Sequence, residues 1–410
     1  QFSGAPATES TPEIAAVTLI ASLLLLLLAV PAVFACGYLL LLTLLSSIAA
    51  PPAPSSRRLF FDVVVPAHNE ATVIERTVAS LKKIDWPQDR FRILVVADNC
   101  TDDTAALASA AGATVLERQS DTLRGKGYAL DYAFNYSRDD SKAAAVVIID
   151  ADAEVSPNLL ESFAARLEHG AEAVQVHYGI LNPLASWRTR LLTIAKASFH
   201  IVRSRARERM GLSCGIRGNG WCVTHNLLQA VPFQAFSLTE DLEYGITLGL
   251  AGYRVHYADE AHSDADMVTS SQTAGKQRQR WEDGRFQLIR SKTLPLLRAA
   301  FRQRSKICLD LAVDLLVLPL SYVALNAAAL TFVAAIAVWL LPVAPLWLWL
   351  GLASVFALVL YVLRGWQLSG LGRQGLIDLA RAPFFIAWKV VLMLRKRDSK
   401  TWVRTDREAP

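Results

Sequence analysis

The sequence lacks the motifs of several common ligand sites. Between residues 59 and 290 it contains no glycine-rich P-loop and no GxGxxG, which excludes phosphate sites of the P-loop and Rossmann kinds. The five cysteines form no CxxC pair and have no zinc-ligand spacing. They are Cys36, Cys100, Cys214, Cys222 and Cys308. Their odd number and scattered positions predict reduced thiols in the cytoplasm.

Charge is scarce in four apolar runs, which raise the hydrophobic content of the 410 residues to 53%. The runs are Ile14 to Ile48, Leu311 to Leu341, Leu346 to Leu363 and, less purely apolar, Leu376 to Leu394. Because a spanning helix needs roughly 20 apolar residues, the second and third runs predict a helical hairpin in the membrane. The first run contains Pro31 and Gly37 and would be about 50 Å long as one helix, which favours one tilted or kinked span over a tight hairpin.

Positive charges are absent before the first run and follow it at Arg57 and Arg58, which predicts that the chain between the first and second spans is cytoplasmic. Glu9 and Glu13, with no basic residue near them, argue against a secretory signal peptide. The polar residues within Leu376 to Leu394 fit a helix that lies in the membrane interface. The net charge of +5 is concentrated beside these segments, which indicates contact with lipid headgroups and no binding of nucleic acid.

These features predict five segments. They are a transmembrane segment in residues 1–56, a cytosolic domain in 57–290, an interfacial segment in 291–310, two transmembrane helices in 311–364, and an interfacial amphipathic helix with a cytosolic tail in 365–410.

Strand and helix patterns alternate within the cytosolic segment. The predicted strands are Leu59 to Val65, Phe91 to Ala97, Thr114 to Glu117, Ala143 to Ile149, Ala173 to Tyr178 and Tyr253 to Tyr257. This alternation predicts an α/β fold with a mostly parallel sheet flanked by helices and right-handed crossovers.

Acidic residues follow successive strands of this sheet. Glu70 comes after the first strand, Asp98 after the second, and Asp150 and Asp152 after the fourth. Ligands bind at the carboxyl ends of strands in such sheets, and paired carboxylates suit Mg²⁺ or Mn²⁺ bound to a diphosphate. Asp98 could accept a hydrogen bond from a nucleoside, and His68 could stack or donate. The alternative for Asp-Ala-Asp is a cap of the following turn.

Leu123 to Tyr128 lies between the third and fourth strands and contains Arg124 and Lys126, with Gly125 and Gly127 on either side of the lysine. Glycines let the backbone approach a ligand, and the two cations suit a diphosphate. The alternative is a surface turn.

A carboxylate in Ser237 to Glu243 could remove the proton from an attacking hydroxyl group, and Asp241 is the candidate, with Glu240 beside it. The alternative is a capping box, in which Ser237 and Glu240 only begin a helix. Helix capping is also the favoured interpretation of Asp102 and Asp103.

Gln277, Arg280 and Trp281 would share one face of a helix. A guanidinium group and an indole ring side by side could bind a phosphate and stack on a sugar. The alternative is an amphipathic helix at the membrane surface.

In this order, the motifs resemble the series found in membrane-bound family 2 glycosyltransferases of the processive type, which include bacterial synthases of cellulose, hyaluronan and poly-N-acetylglucosamine. The likeness covers about Phe60 to Arg290 and is greatest for the branch of bacterial exopolysaccharide synthesis. The motifs that carry it are Pro66-Ala67-His68-Asn69-Glu70, Asp98, Asp150-Ala151-Asp152, Thr239-Glu240-Asp241 and Gln277-x-x-Arg280-Trp281.

The resemblance implies a GT-A fold, a nucleotide-sugar donor that is most often a UDP-sugar, and Mg²⁺ or Mn²⁺ as cofactor. By matching motifs, Asp241 would be the catalytic base, with Glu240 beside it, and Asp152 would bind the metal. The other matched residues would bind substrates: His68, Glu70 and Asp98 the nucleoside, Arg124 and Lys126 the diphosphate, Asp150 the nucleotide sugar, and Gln277, Arg280 and Trp281 the acceptor end and the leaving diphosphate.

We therefore expect an inverting, metal-dependent glycosyltransferase of the bacterial inner membrane that extends an exopolysaccharide, with polysaccharide-export subunits as candidate partners. Ser213 to Gly220 replaces the Phe-Phe-Cys-Gly-Ser element of cellulose-type synthases, which leaves the acceptor open. One alternative is a single transfer to a lipid or polyprenyl phosphate. Another is a membrane scaffold that keeps the fold without catalysis.

Overall fold

The structure is a computed structural model that describes residues 12–267 and 271–384, and within them the side chains of residues 13–267 and 281–384. The end of the predicted interfacial helix and the tail, residues 385–410, lie outside the described residues. The chain divides into two compact units. One comprises Gln1–Leu44 and Val317–Arg364, and the other comprises Leu45–Leu316 and Gly365–Pro410.

The helices and strands are numbered here in chain order. The strands are β1 (Phe61–Ala67), β2 (Phe91–Asp98), β3 (Thr114–Arg118), β4 (Ala145–Ile148), β5 (Ala153–Val155), β6 (Ala173–Ile180), β7 (Trp221–Thr224) and β8 (Val255–Ala265). The helices are α1 (Pro12–Leu44), α2 (Ile74–Leu81), α3 (Thr104–Ala110), α4 (Lys126–Asp140), α5 (Leu159–Leu167), α6 (Trp187–Lys196), α7 (Arg203–Arg209), α8 (His225–Ala230), α9 (Glu240–Leu250), α10 (Ser271–Arg302), α11 (Lys306–Leu316), α12 (Leu320–Leu340), α13 (Leu346–Leu368) and α14 (Gly372–Leu379). A π-helical turn, Ala197–Val202, joins α6 to α7.

The first unit contains helices that are long and apolar enough to cross a membrane, namely α1, α12 and α13. The first apolar run forms one continuous helix with Pro31 inside it. Ala29 and Ala32 of α1 pack against Ala334 of α12. Small side chains let helices approach closely, so this contact suits helices that pack within lipid.

The second apolar run differs from its predicted extent. We expected one span from Leu311, but the run is divided between α11 and α12, and only α12, from Leu320, is long and apolar enough to be a candidate span. The physical reason lies in α11, where Asp310 and Asp314 are buried and form ion pairs with Arg207 of α7. Those charges tie α11 to the α/β unit. The predicted limits at residues 290 and 310 likewise fall inside helices, α10 and α11.

The second unit is built on an eight-stranded sheet of order β3-β2-β1-β4-β7-β6-β8-β5. Neighbours are parallel from β3 through β4 and between β6 and β8, whereas β7 is antiparallel to both of its neighbours and β5 is antiparallel to β8. The predicted α/β fold class, a mostly parallel sheet flanked by helices, is confirmed. Strands β5 and β7 were not predicted, because their three and four residues are too few to show a strand pattern.

Side chains of the central strands are buried on both faces of the sheet. Val63 of β1 packs in one core with Val78 of α2. Its neighbour Val64 points to the other face and packs in a second core with Leu130 of α4. Double burial explains why these strands are continuous apolar runs, and it holds their carboxyl ends in a fixed register.

We predict that Asp314→Ala lowers the free energy of unfolding by about 3–5 kcal/mol, because removing one partner of a buried ion pair leaves the other charge uncompensated. Asp314 lies 2.8 Å from Arg203 and 2.6 Å from Arg207, and all three side chains are buried. Denaturant titration of the full chain in detergent measures the loss. Asp139→Ala is the control, because the Asp139 side chain is 77% exposed, and an equal effect of both changes would contradict the prediction.

Candidate active site

The order of the sheet brings the predicted site residues to one edge. Strands β2, β1 and β4 are parallel neighbours, so their carboxyl ends meet there. His68 and Glu70 follow β1, Asp98 ends β2, and Asp150 and Asp152 follow β4. This edge is where ligands bind in open α/β sheets.

Asp98 is buried at this edge and is held by a partner that the sequence analysis missed. Its Oδ1 accepts hydrogen bonds from Arg118 Nη1 at 2.5 Å and from Asn99 Nδ2 at 3.0 Å. Its backbone oxygen lies 2.7 Å from Nδ1 of His68. Arg118 ends β3 directly beside Asp98 in the sheet register. The signal was therefore present, since a basic residue directly followed the neighbouring predicted strand, Thr114 to Glu117.

Glu70 and Asp102 both form hydrogen bonds with Thr104, the first residue of α3. The Glu70 backbone N–H donates to Thr104 Oγ1 at 2.8 Å. Asp102 accepts a hydrogen bond from the Thr104 backbone N–H at 3.1 Å, which is the capping role that the sequence favoured for the acidic pair. Asp103 occupies the N-cap position without a side-chain cap bond.

Lys126, the first residue of α4, joins three distant parts of the chain. Its Nζ lies 2.6 Å from Asp150 Oδ1, 3.5 Å from Glu240 Oε1 and 3.0 Å from the Gly218 carbonyl oxygen. Burial alone would lower the pKa of Lys126, but the Asp150 and Glu240 carboxylates outweigh it, and the pKa is raised. The ammonium group is therefore a fixed charge between two predicted site acids.

The other members of the Lys126 motif have different surroundings. Gly125 has φ +129°, a conformation that requires glycine. Gly127 was expected to let the backbone approach a ligand, but a Cβ there would overlap the carbonyl oxygen of Ala235. Its role in this structure is close packing against the loop that leads to α9. Arg124 is exposed, and its Nη2 lies 3.6 Å from Asp121.

Glu240 and Asp241 begin α9 without the capping box that was the alternative for this motif. Thr239 is the N-cap and makes no side-chain cap bond. Burial raises the pKa of Glu240 to about 7, although Lys126 opposes that rise. Burial also raises the pKa of Asp241. Both carboxyl groups are thus better proton acceptors than ordinary surface acids.

The loop before β7 completes this side of the site. Asn219 Oδ1 accepts a hydrogen bond from the Asp150 backbone N–H at 3.0 Å. Gly218 has φ +86°, and a Cβ there would lie 3.6 Å from Asp241 Oδ2 and 3.5 Å from Cε1 of Tyr178. None of the residues in this loop was predicted to belong to the site, although the spacing of Gly215, Gly218 and Gly220 was a signal of special backbone geometry.

Asp152 lies two residues beyond Asp150, and its backbone oxygen is 3.4 Å from Arg76 Nη2. Among the side chains that the structure describes, no three His, Cys, Asp or Glu residues are grouped so that they could hold a metal ion. Mg²⁺ is commonly held by one or two carboxylates together with substrate phosphates. The arrangement at the end of β4 fits a metal that binds in that way.

Helix α10 packs directly on the acidic motif of α9. A Cβ at Gly284 would lie 2.6 Å from Cγ2 of Thr239, so only glycine allows this approach. Trp281 lies one helical turn earlier and is 41% exposed. The backbones of Gln277 and Arg280 belong to the same helix, but their side chains lie outside the described residues.

A family model described as "Glycosyltransferase like family 2" matches residues 58–284. β-Monoglucosyldiacylglycerol synthase of Synechocystis sp. is 30% identical over 234 residues, which are 55% of this chain and 47% of that protein. Glucomannan 4-β-mannosyltransferase 7 of Arabidopsis thaliana is 22% identical over 256 residues, which are 58% of this chain and 44% of that protein.

Among solved structures, the mannosyltransferase PcManGT from Pyrobaculum calidifontis in complex with GDP-Man and Mn²⁺ has a TM-score of 0.48 and 19% identity, and the match covers 84% of this chain and 98% of that chain. The chain spans about half the length of the curated relatives named above. The family match covers more than half of this chain, from the strand before the first motif into α10. The chain therefore belongs to glycosyltransferase family 2, and its α/β unit is a GT-A-like glycosyltransferase domain.

Proposed function

We propose that this protein is an inverting glycosyltransferase of the bacterial inner membrane that moves a sugar from a cytoplasmic nucleotide donor, a UDP-sugar, to an acceptor at the membrane. The convergence of Lys126, Asp150 and Glu240, which are distant in sequence, carries the proposal. The Asp150 and Glu240 carboxylates lie 2.6 Å and 3.5 Å from the Lys126 ammonium nitrogen. A partly buried cluster of charges at a sheet edge is typical of a functional site.

In the proposed reaction, Asp241 accepts the proton of the acceptor hydroxyl group. The hydroxyl oxygen then attacks the anomeric carbon of the donor sugar, and the bond from that carbon to the phosphate oxygen breaks with its electron pair left on the diphosphate. Attack and departure on opposite faces invert the anomeric centre. Glu240 supports the base, and Lys126 stabilises the negative charge of the diphosphate.

The remaining predicted residues bind different parts of the donor and the acceptor. His68, Glu70 and Asp98 bind the nucleoside, and Arg118 fixes the Asp98 carboxylate through its 2.5 Å ion pair. Arg124, Gln277, Arg280 and Trp281 bind the diphosphate and the acceptor end, as the family motifs imply.

Asp152 would hold Mg²⁺ or Mn²⁺ together with the phosphates of the donor. A bound divalent ion would neutralise charge that develops on the leaving diphosphate. Asp150 is already paired with Lys126, which leaves Asp152 as the acid of that motif assigned to the metal.

The acceptor that the motif series indicates is a growing exopolysaccharide. A single transfer to a lipid is the second candidate, and the specific observation in its favour is the 30% identity to a protein named β-monoglucosyldiacylglycerol synthase. The discriminating experiment incubates the full chain with membranes and labelled nucleotide sugars and then separates the products. A ladder of increasing length supports the polymer, and one lipid-soluble product supports the second candidate. No release of nucleotide from any UDP- or GDP-sugar would contradict both.

We predict that Asp241→Asn lowers kcat by about 10²-fold or more, because the amide cannot accept the proton that general-base catalysis requires. Binding of UDP should persist, since Asp241 acts on the acceptor. Glu243→Gln is the matched control on the same helix, because Glu243 lies 3.9 Å from Lys292 and outside the cluster. Unchanged turnover in Asp241→Asn would favour a non-catalytic scaffold.

Activity should fall on acidification through about pH 7. The pKa of Glu240 is raised to about 7, so the proton is held below that pH and lost above it. Because Glu240 and Asp241 titrate as a pair, log kcat/KM should rise with pH and level off above the apparent pKa of the pair. A pH profile in buffers of constant ionic strength measures this limb. A fall in log kcat/KM only near pH 4 would show that the catalytic carboxyl group has an ordinary pKa, and it would contradict the prediction.

We predict that Asp152→Ala weakens UDP binding in the presence of Mg²⁺ or Mn²⁺ and has little effect when the metal is chelated. The reason is that the carboxylate acts on the nucleotide only through the ion. Calorimetric titration with and without metal gives the two affinities. Asp139→Ala is the control variant and should bind UDP like wild type. If the wild type binds UDP equally well with and without metal, the role assigned to Asp152 is wrong.

A further inference from the structure

Lys196, the last residue of α6, stands beside the proposed donor site and matches none of the family motifs. Helix α6 begins at a capping box formed by Ser186 and Thr189 and ends where the π-helical turn Ala197–Val202 begins. π-Helical turns occur often at functional sites, since the extra residue redirects the side chains on either side of it. Here the change of helix type occurs at a lysine.

The ammonium group of Lys196 is held only by weak or neutral partners. Its Nζ donates to the carbonyl oxygen of Gly179 at 3.1 Å and lies 3.2 Å from the centre of the Tyr178 ring. Among the described side chains, no carboxylate lies within ion-pair distance of it. A lysine has three N–H donors, so donors remain for a ligand.

Three carboxylates nevertheless act on this lysine, and two of them belong to the proposed donor site. They are Asp264, Asp152 and Asp150. His177 and His200 also lie in the electrostatic surroundings of Lys196. The ammonium group is therefore close enough to Asp150 and Asp152 to feel their charge, although it forms no ion pair with either of them.

Tyr178 connects Lys196 to the other side of the site. One face of its ring carries the Lys196 ammonium group, and its Cε1 lies beside Gly218, whose missing Cβ faces Asp241. Lys196, Tyr178, Gly218 and Asp241 thus follow one another along a single wall. Lys126 Nζ contacts the carbonyl oxygen of the same Gly218, but its charge is already paired with Asp150 and Glu240.

We infer that Lys196 is a second cation for the diphosphate of the donor, and this inference rests on the proposed function. Lys126 is paired with two carboxylates, whereas Lys196 is not paired with any described carboxylate and can bind phosphate oxygen without breaking an ion pair. Its charge stabilises the electron pair that the departing diphosphate receives. The lysine takes no part in bond making, and its proton stays on Nζ.

The first experiment compares wild type, Lys196→Met and Lys83→Met as full chains in detergent, with UDP, GDP, uridine and guanosine as probes at a fixed Mn²⁺ concentration. Lys196→Met should weaken binding of the diphosphate by about tenfold or more, the usual effect of losing a charge-assisted hydrogen bond, and leave nucleoside binding unchanged. Lys83 is exposed and lies outside the site, so Lys83→Met should bind like wild type.

Equal diphosphate affinity in wild type and Lys196→Met would overturn the inference. Loss of nucleoside affinity together with diphosphate affinity would also overturn it, because the lysine would then have a general structural role. Failure of the wild type to bind either UDP or GDP is a different result, since it would contradict the proposed function itself.

A second measurement needs no variant and therefore does not depend on folding of Lys196→Met. Burial lowers the pKa of Lys196 to about 7, against the opposing effect of Asp264, so part of the amine is unprotonated and reactive at neutral pH when no ligand is bound, whereas a bound diphosphate would keep the proton on Nζ. Brief treatment with acetic anhydride at pH 7.5 and peptide mass spectrometry report its reactivity relative to Lys83. Saturating UDP or GDP with Mn²⁺ should protect Lys196 and not Lys83. Equal labelling of Lys196 with and without nucleotide would overturn the inference.

Discussion

The Lys126 ammonium group between Asp150 and Glu240 is the interaction on which the rest of the site depends. Each carboxylate comes from a different part of the chain, and withdrawing the two from water without a cation would cost free energy that is large against the small net stability of a folded protein. Because the lysine begins α4, the position of that helix on the sheet decides where the charge lies. Gly127, one residue later, allows α4 to approach the loop that leads to Glu240.

A second set of buried charges connects helices α7 and α11 to the loop before β7. Asp314 of α11 lies between Arg203 and Arg207 of α7, and its other oxygen is 4.0 Å from Arg217. Arg217 directly precedes Gly218, whose carbonyl oxygen receives the Lys126 hydrogen bond. Helix α11, which follows the proposed catalytic motif, is thus connected by charge to the loop before β7. Such networks are rigid when all members are satisfied and costly when one is lost.

The parts of the fold that were predictable are those with long periodic signals. Phe91 to Ala97 was predicted as a strand because its residues are apolar on both faces, and β2 occupies almost the same residues. Trp221–Thr224 was missed because four residues between a glycine-rich loop and a helix carry no period. The second apolar run was predicted as one helix but is divided between α11 and α12, since hydropathy alone does not distinguish an apolar residue in lipid from one packed beside a buried ion pair.

The sequence by itself determined the α/β class, the apolar helices and the order of acidic motifs along the chain, because these follow from local composition and period. Only the tertiary structure decided which charges meet. It paired Asp98 with Arg118, paired Lys126 with two carboxylates, and left Lys196 bonded to the Gly179 carbonyl oxygen with no described carboxylate within ion-pair distance. The physical reason is that electrostatic energy depends on distance and burial in space, and the sequence states neither.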